Sequence, residues 1–126
     1  MSDIVTERDF NELMYHLGNL VRLDSSPGGG GQASVVRYVA GVLAAEGIPA
    51  ELVPGPGGAL NLVARLSVHR PDHALIVAAP TDVAPADPEG WTHAPFSGAV
   101  EDGRIRGRGT LESKRVLAMG LMLPIL

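Results

Sequence analysis

Cysteine is missing from these 126 residues, so disulfides, thiol nucleophiles and thiolate metal ligands are all excluded. Aromatic residues make up only 4% of the chain, which leaves Val, Leu, Ile and Ala to build any core. No basic excess exists either. The formal net charge is -4, against general binding of nucleic acid, which needs Lys and Arg to neutralise phosphates. Long apolar runs are absent, with none near the roughly 20 residues that cross a bilayer, and no membrane partner is expected. The start, residues 1–7, is acidic and has no basic-then-apolar pattern of a signal peptide, so a cytoplasmic location is expected.

What is present is an apolar content of 45%, with 16 Gly and 10 Pro, as in a globular chain with many turns. One domain over residues 1–126 is expected, long enough to bury on the order of two-thirds of its unfolded surface. Thr6 followed by Asp9 marks a helix start, and Phe10, Leu13, Leu17, Leu20 and Val21 follow at helical spacing. Asp24 to Gly31 reads as a loop. The four glycines lack the preceding strand and following Lys of a phosphate loop, so they read as a flexible connection.

A second helix is expected over residues 33–46, with Gly47 as its left-handed cap. Strands are expected over 48–53 and 59–68, paired antiparallel across Pro54 to Gly58. Residues 73–79 are nearly all apolar and read as a strand buried on both faces. Residues 80–96 carry four prolines and read as a structured loop. Asp102-Gly103 predicts a hairpin over 97–106. A last helix starts near Thr110 or Leu111 and ends at Pro124.

Several phrases occur together: Asn61-Leu62-Val63-Ala64-Arg65-Leu66, Asp82-Val83 with Pro85-Ala86-Asp87, Gly90-Trp91 through Pro95-Phe96-Ser97-Gly98, and Gly107-Arg108-Gly109-Thr110. In order and spacing they resemble the N-terminal part of the aminoacylase, carboxypeptidase G and succinyl-diaminopimelate desuccinylase family of dinuclear zinc hydrolases. The resemblance implies an α/β fold: part of a three-layer zinc-peptidase-like domain, a short mixed sheet with about three helices and a β-hairpin.

It also implies a site, which this chain has altered. The family's ligand His falls at Pro80, whose side chain has no donor atom. The Asp that orients that His falls at Asp82 and is kept. The Asp that bridges both metals falls at Glu112, one methylene longer, and Lys114 is kept. The remaining family ligands, a Glu-Glu pair among them, fall beyond Leu126, and a truncated chain is the expectation. Glu112 is then the only family ligand position still carrying a donor, whereas a zinc site needs three or four protein ligands. No metal or other cofactor is expected, and zinc enters only if the site is rebuilt.

Two readings of the remaining residues stay open. Asp82 and Glu112 could act as an acid-base pair without metal, assisted by His93 or Lys114, with Trp91 and Arg108 binding a small-molecule substrate. Alternatively these are inherited structural residues: Asp82 in a turn, Glu112 in a helix's first turn, His93 on a loop rim, Trp91 and Phe96 anchoring the loop. Arg104, Arg106, Arg108, Lys114 and Arg115 read as an exposed basic cluster, His69 and His73 as solvated groups flanking a turn, and His16 as a surface or partly buried residue of the first helix. A sheet stopping short would leave strand 73–79 and helix 111–123 uncovered, so a homodimer, or a partner over that helix, is expected. Three functions follow: a scaffold or binding subunit on a degenerate hydrolase frame, a repurposed metal-independent enzyme, or a zinc hydrolase completed across a dimer.

Overall fold

The computed structural model describes residues 5–67 and 72–125. Helix α1 spans Glu7–Val21. Its start is a capping box: Thr6 Oγ1 accepts from the Asp9 amide at 3.3 Å, and the Asp9 carboxylate accepts from the Thr6 amide at 2.7 Å. The Thr6 hydroxyl also donates to Asp9 Oδ2 at 2.7 Å, and this bond together with that from the Thr6 amide holds the Asp9 carboxyl below its usual pKa. Leu17, Leu20 and Val21 are buried as their spacing predicts. Phe10 is not. It is 52% exposed, because burial along α1 is confined to residues 16–21 and the first turns project past the core.

Helix α2 spans Gln32–Ala45 and buries Val35, Val36, Val39 and Leu43. Gly47 stops it at φ 72°, with its amide on Ala44 O at 3.0 Å and the Ile48 amide on Leu43 O at 2.9 Å. This pair of bonds satisfies the last carbonyls of the helix in a Schellman motif, and an L side chain at Gly47 would be strained.

Strands β1 (Ala50–Pro54) and β2 (Leu60–Ala64) pair antiparallel with Leu52 opposite Leu62, both shorter than their apolar runs. The chain reverses through a short 3₁₀ turn at Pro56–Gly58, closed by the Gly55 amide on Ala59 O at 2.7 Å. Strands β3 (Ala99–Glu101) and β4 (Arg104–Arg106) form the second hairpin, turning at Asp102 and Gly103, whose φ values are 51° and 69°. Positive φ at both positions is what a two-residue hairpin turn requires, and Asp-Gly supplies it. Helix α3 spans Ser113–Met122, starting two or three residues later than expected, so Glu112 stands at its cap rather than inside its first turn.

Among the described residues the result is a mixed α/β fold of three helices and two small antiparallel sheets. Helix α1 packs chiefly on α3, while α2 lies over β1–β2 and touches α3. Leu17, Leu20, Val21, Val35, Val39, Leu43, Ile48, Ala118 and Leu121 meet in one core. A fully buried Leu such as Leu20 contributes about 1.5–3 kcal/mol relative to leaving it in water.

The expected strand at 73–79 is corrected. Among the described residues it pairs with no other strand, and Leu75 and Ile76 are 84% and 85% exposed. An apolar sequence favours burial, but a strand also needs a partner strand to satisfy its amides, and none is paired with it among the described residues. His16 is a second correction. It is buried, with Nδ1 at 2.7 Å from the Tyr38 hydroxyl and its ring edge-on to those of Tyr15 and Tyr38. His73 is exposed beside Asp72, at 3.3 Å, while His69 and the turn at residues 70–71 lie outside the described residues.

Candidate functional site

Three segments distant in sequence meet at the N-terminus of α3. The loop after α1 reaches it through Ser25, whose carbonyl accepts from the Val83 amide at 3.3 Å. The loop after residue 80 reaches it through Asp82, whose backbone carbonyl accepts from Ser113 Oγ at 2.8 Å. The third tie is Lys114, whose Nζ donates to Leu23 O at 3.1 Å. A glycine is needed where they cross: Gly109 has φ 91°, and a Cβ there would stand 2.9 Å from Val83 Cγ1 and press on the Lys114 side chain.

Lys114 is completely buried. Burial pushes its pKa down to about 8, against the opposing pull of the Asp24 carboxylate. It therefore does not belong to an exposed basic cluster. Nor do the other members share one surface role. Arg106 Nε and His93 Nε2 both lie 3.2 Å from Glu101 Oε2. The Arg108 guanidinium sits 5.2 Å from the Trp91 ring centroid and donates to Pro85 O at 3.4 Å. Arg104 and Arg115 are exposed.

The candidate acid-base pair is brought to one place by the Ser113–Asp82 bond, since Glu112 precedes Ser113. Both carboxylates are exposed, and among the described residues neither makes a hydrogen bond or ion pair. His93 is directed to the β3–β4 hairpin through Glu101, and Trp91 stacks with Arg108. Pro80 is exposed.

Among the described residues no three His, Cys, Asp or Glu side chains gather closely enough to hold a metal ion. Pro80 offers no donor, and Asp82 and Glu112 alone leave a zinc ion short of its usual ligand number. Among the described residues, this junction offers fewer donors than the three or four protein ligands a zinc ion takes.

What the sequence reading missed is the buried polar set behind this surface. Ser25 is fully buried, and its hydroxyl has no partner among the described residues. Asp24 Oδ1 accepts from the Ser26 amide at 3.0 Å, folding the loop beneath Lys114's tie to Leu23. A signal for Lys114 was available: it precedes buried Ala118 by four residues and Leu121 by seven, on the inward stripe of α3.

These features define a mixed α/β domain whose loops converge on the N-terminus of α3. Comparison with curated proteins finds relatives among the succinyl-diaminopimelate desuccinylases. The chain is 39% identical over 92 residues to a succinyl-diaminopimelate desuccinylase of Methylobacterium sp. (strain 4-46), covering 69% of this chain and 23% of that protein. It is 37% identical over 105 residues to the enzyme of the same name from Methylobacterium nodulans, covering 79% of this chain and 25% of the relative. A third, from Methylorubrum extorquens, is 44% identical over 66 residues, 52% of this chain and 17% of the relative. No family model matches the chain. The chain is a relative of the succinyl-diaminopimelate desuccinylases, as its motifs indicate, and it spans about a quarter or less of the length of these three. No helix among the described residues is long and apolar enough to cross a membrane.

Proposed function

We propose that the chain is a desuccinylase-like hydrolase domain without a working dinuclear zinc site, acting as a scaffold or binding subunit. The observation that carries this reading is Pro80. The proline nitrogen is a tertiary amide nitrogen whose lone pair is delocalised into the backbone, so it cannot replace an imidazole, and in this reading the exposed Asp82 has no His to orient. The test is metal analysis of protein purified without chelator. No stoichiometric zinc is the expected result, and two tightly bound zinc ions per subunit would overturn the reading in favour of a site completed across a dimer.

A second reading is favoured by the Ser113–Asp82 bond, which holds two exposed carboxylate residues at one loop junction. In it, Asp82 and Glu112 transfer protons on a small acyl or amide compound without metal. Loss of turnover in a Glu112→Gln variant that still folds would support it, and a protein inert to such compounds would remove it.

The scaffold role includes self-association. Leu75, Ile76 and Val77 run exposed with no paired strand among the described residues, and Leu111, Met119 and Leu123 are exposed at and beside α3. Val77 lies near Gly120, where a Cβ would be 3.5 Å from Val77 Cγ1, so the apolar segment and α3 adjoin. A homodimer that buries these surfaces is the proposal, with a partner covering α3 as the alternative. Light scattering after size exclusion decides: a stable monomer at micromolar concentration removes the homodimer. The cytoplasmic location expected from the sequence belongs to the same proposal, and fractionation of cells making the protein tests it.

A further inference from the structure

A groove of about 370 Å³ runs between α1 and the β3–β4 hairpin and shares no residue with the loops around Asp82 and Glu112. Its geometry follows from a stripe at four-residue spacing along α1: Phe10, Met14, Gly18 and Arg22. At Gly18 the helix presents bare backbone, and the hairpin approaches it at Gly98. Gly98 has φ 59°, and a Cβ there would stand 2.9 Å from Gly18 O and 3.4 Å from Arg22 Cγ. Two glycines thus make the floor, and any larger residue at Gly98 would push the hairpin off the helix. The walls are apolar and open to solvent, with Phe10 52%, Tyr15 66% and Val100 63% exposed.

Among the described residues, Arg22 is the only charged one lining the groove. Its Nη1 donates to Asn19 Oδ1 at 3.1 Å, and among the described residues no carboxylate pairs with it. A guanidinium carries five donors, so one neutral hydrogen bond leaves a fork able to take a carboxylate from two sides. A volume of about 370 Å³ has room for a small molecule laid along the open groove. We infer that this groove binds a small carboxylate with an aromatic or branched apolar body, the carboxylate on Arg22 and the body between Phe10, Tyr15 and Val100.

The probe is 2-naphthoate, titrated into the full chain and followed by amide chemical shifts. Saturable shifts at Gly18, Gly98 and Val100 are expected. Losing a charge-assisted hydrogen-bonded pair costs about 1.5–3 kcal/mol, so binding should weaken about tenfold or more in Arg22→Met. The neutral analogue 2-naphthalenemethanol should bind the unaltered protein more weakly by a similar factor, a comparison that does not depend on how the variant folds. Absence of saturable shifts at millimolar naphthoate overturns the inference. So does equal binding of acid and alcohol, or naphthoate shifts that fall on other residues.

Discussion

Lys114 Nζ donates to Leu23 O at 3.1 Å, joining the start of α3 to the end of α1 across ninety-one residues of chain. Lys114 is also the only lysine in the sequence. The site's most buried charge is therefore one that can be titrated and labelled without interference from its own kind.

Its titration should show in stability. Burial holds its folded pKa near 8, against 10.5 for the free side chain. Between these values the unfolded chain binds more protons than the folded one, so stability gains a contribution as pH rises from about 8 to 10.5. Below pH 8 both states are protonated and the cost of the buried charge is present in full. Urea midpoints at pH 7 and pH 10 measure this. Lys114→Met should remove the rise and be at least as stable as the parent at pH 7. An unchanged pH profile in the variant would contradict the assignment.

Acylation counts the same burial. The chain has two primary amines, the α-amino group and Lys114. An amine-reactive ester at neutral pH should add one group to the folded protein, at the N-terminus, and two in denaturant. Mass spectrometry reads the difference, and rapid double labelling of the folded protein would show Lys114 to be accessible.

Leu20 and Ile76 are both large aliphatics, one 0% and the other 85% exposed. Leu20→Ala should cost about 2–5 kcal/mol through lost transfer and the cavity left behind. Ile76→Ser should change the stability of the isolated chain by about 0.5 kcal/mol or less. Under the homodimer proposal the same change weakens association, so chemical denaturation and light scattering should respond to opposite members of the pair.

The Tyr38 hydroxyl lies 2.7 Å from His16 Nδ1 and accepts from Asn19 Nδ2 at 3.1 Å. Tyr38→Phe deletes both contacts and leaves the buried imidazole short of a partner. A loss of about 1–3 kcal/mol is expected in thermal or urea unfolding.

Placing an imidazole at position 80 should not create a zinc site. Pro80→His supplies one imidazole beside Asp82, yet a stable zinc site takes three or four protein ligands. After dialysis the variant should hold no stoichiometric zinc. Stoichiometric binding would show that other residues complete the site.

Much of the local structure was legible because its causes are local. Thr6 and Asp9 cap α1 across three residues, Gly47 ends α2 by its own φ, and Asp102-Gly103 turns the hairpin by theirs. The site was legible only in its chemistry. Pro80 can be read as a lost ligand from its side chain alone, but nothing in the spacing of residues 101–115 says that Glu101 takes up His93 and Arg106 while Trp91 takes up Arg108. Those pairings depend on how the loop of residues 80–96 folds back on the hairpin.

Sequence alone thus determined the cap of α1, the end of α2, both hairpin turns and the kinship to the desuccinylases. Each rests on backbone conformations or atoms that a residue carries with it wherever it sits. Tertiary structure decided that Lys114 and His16 are buried and that Leu75 and Ile76 are exposed. Burial belongs to the meeting of segments rather than to a residue: α1, α3 and the loop after α1 close around a charge, while an apolar run finds no strand beside it.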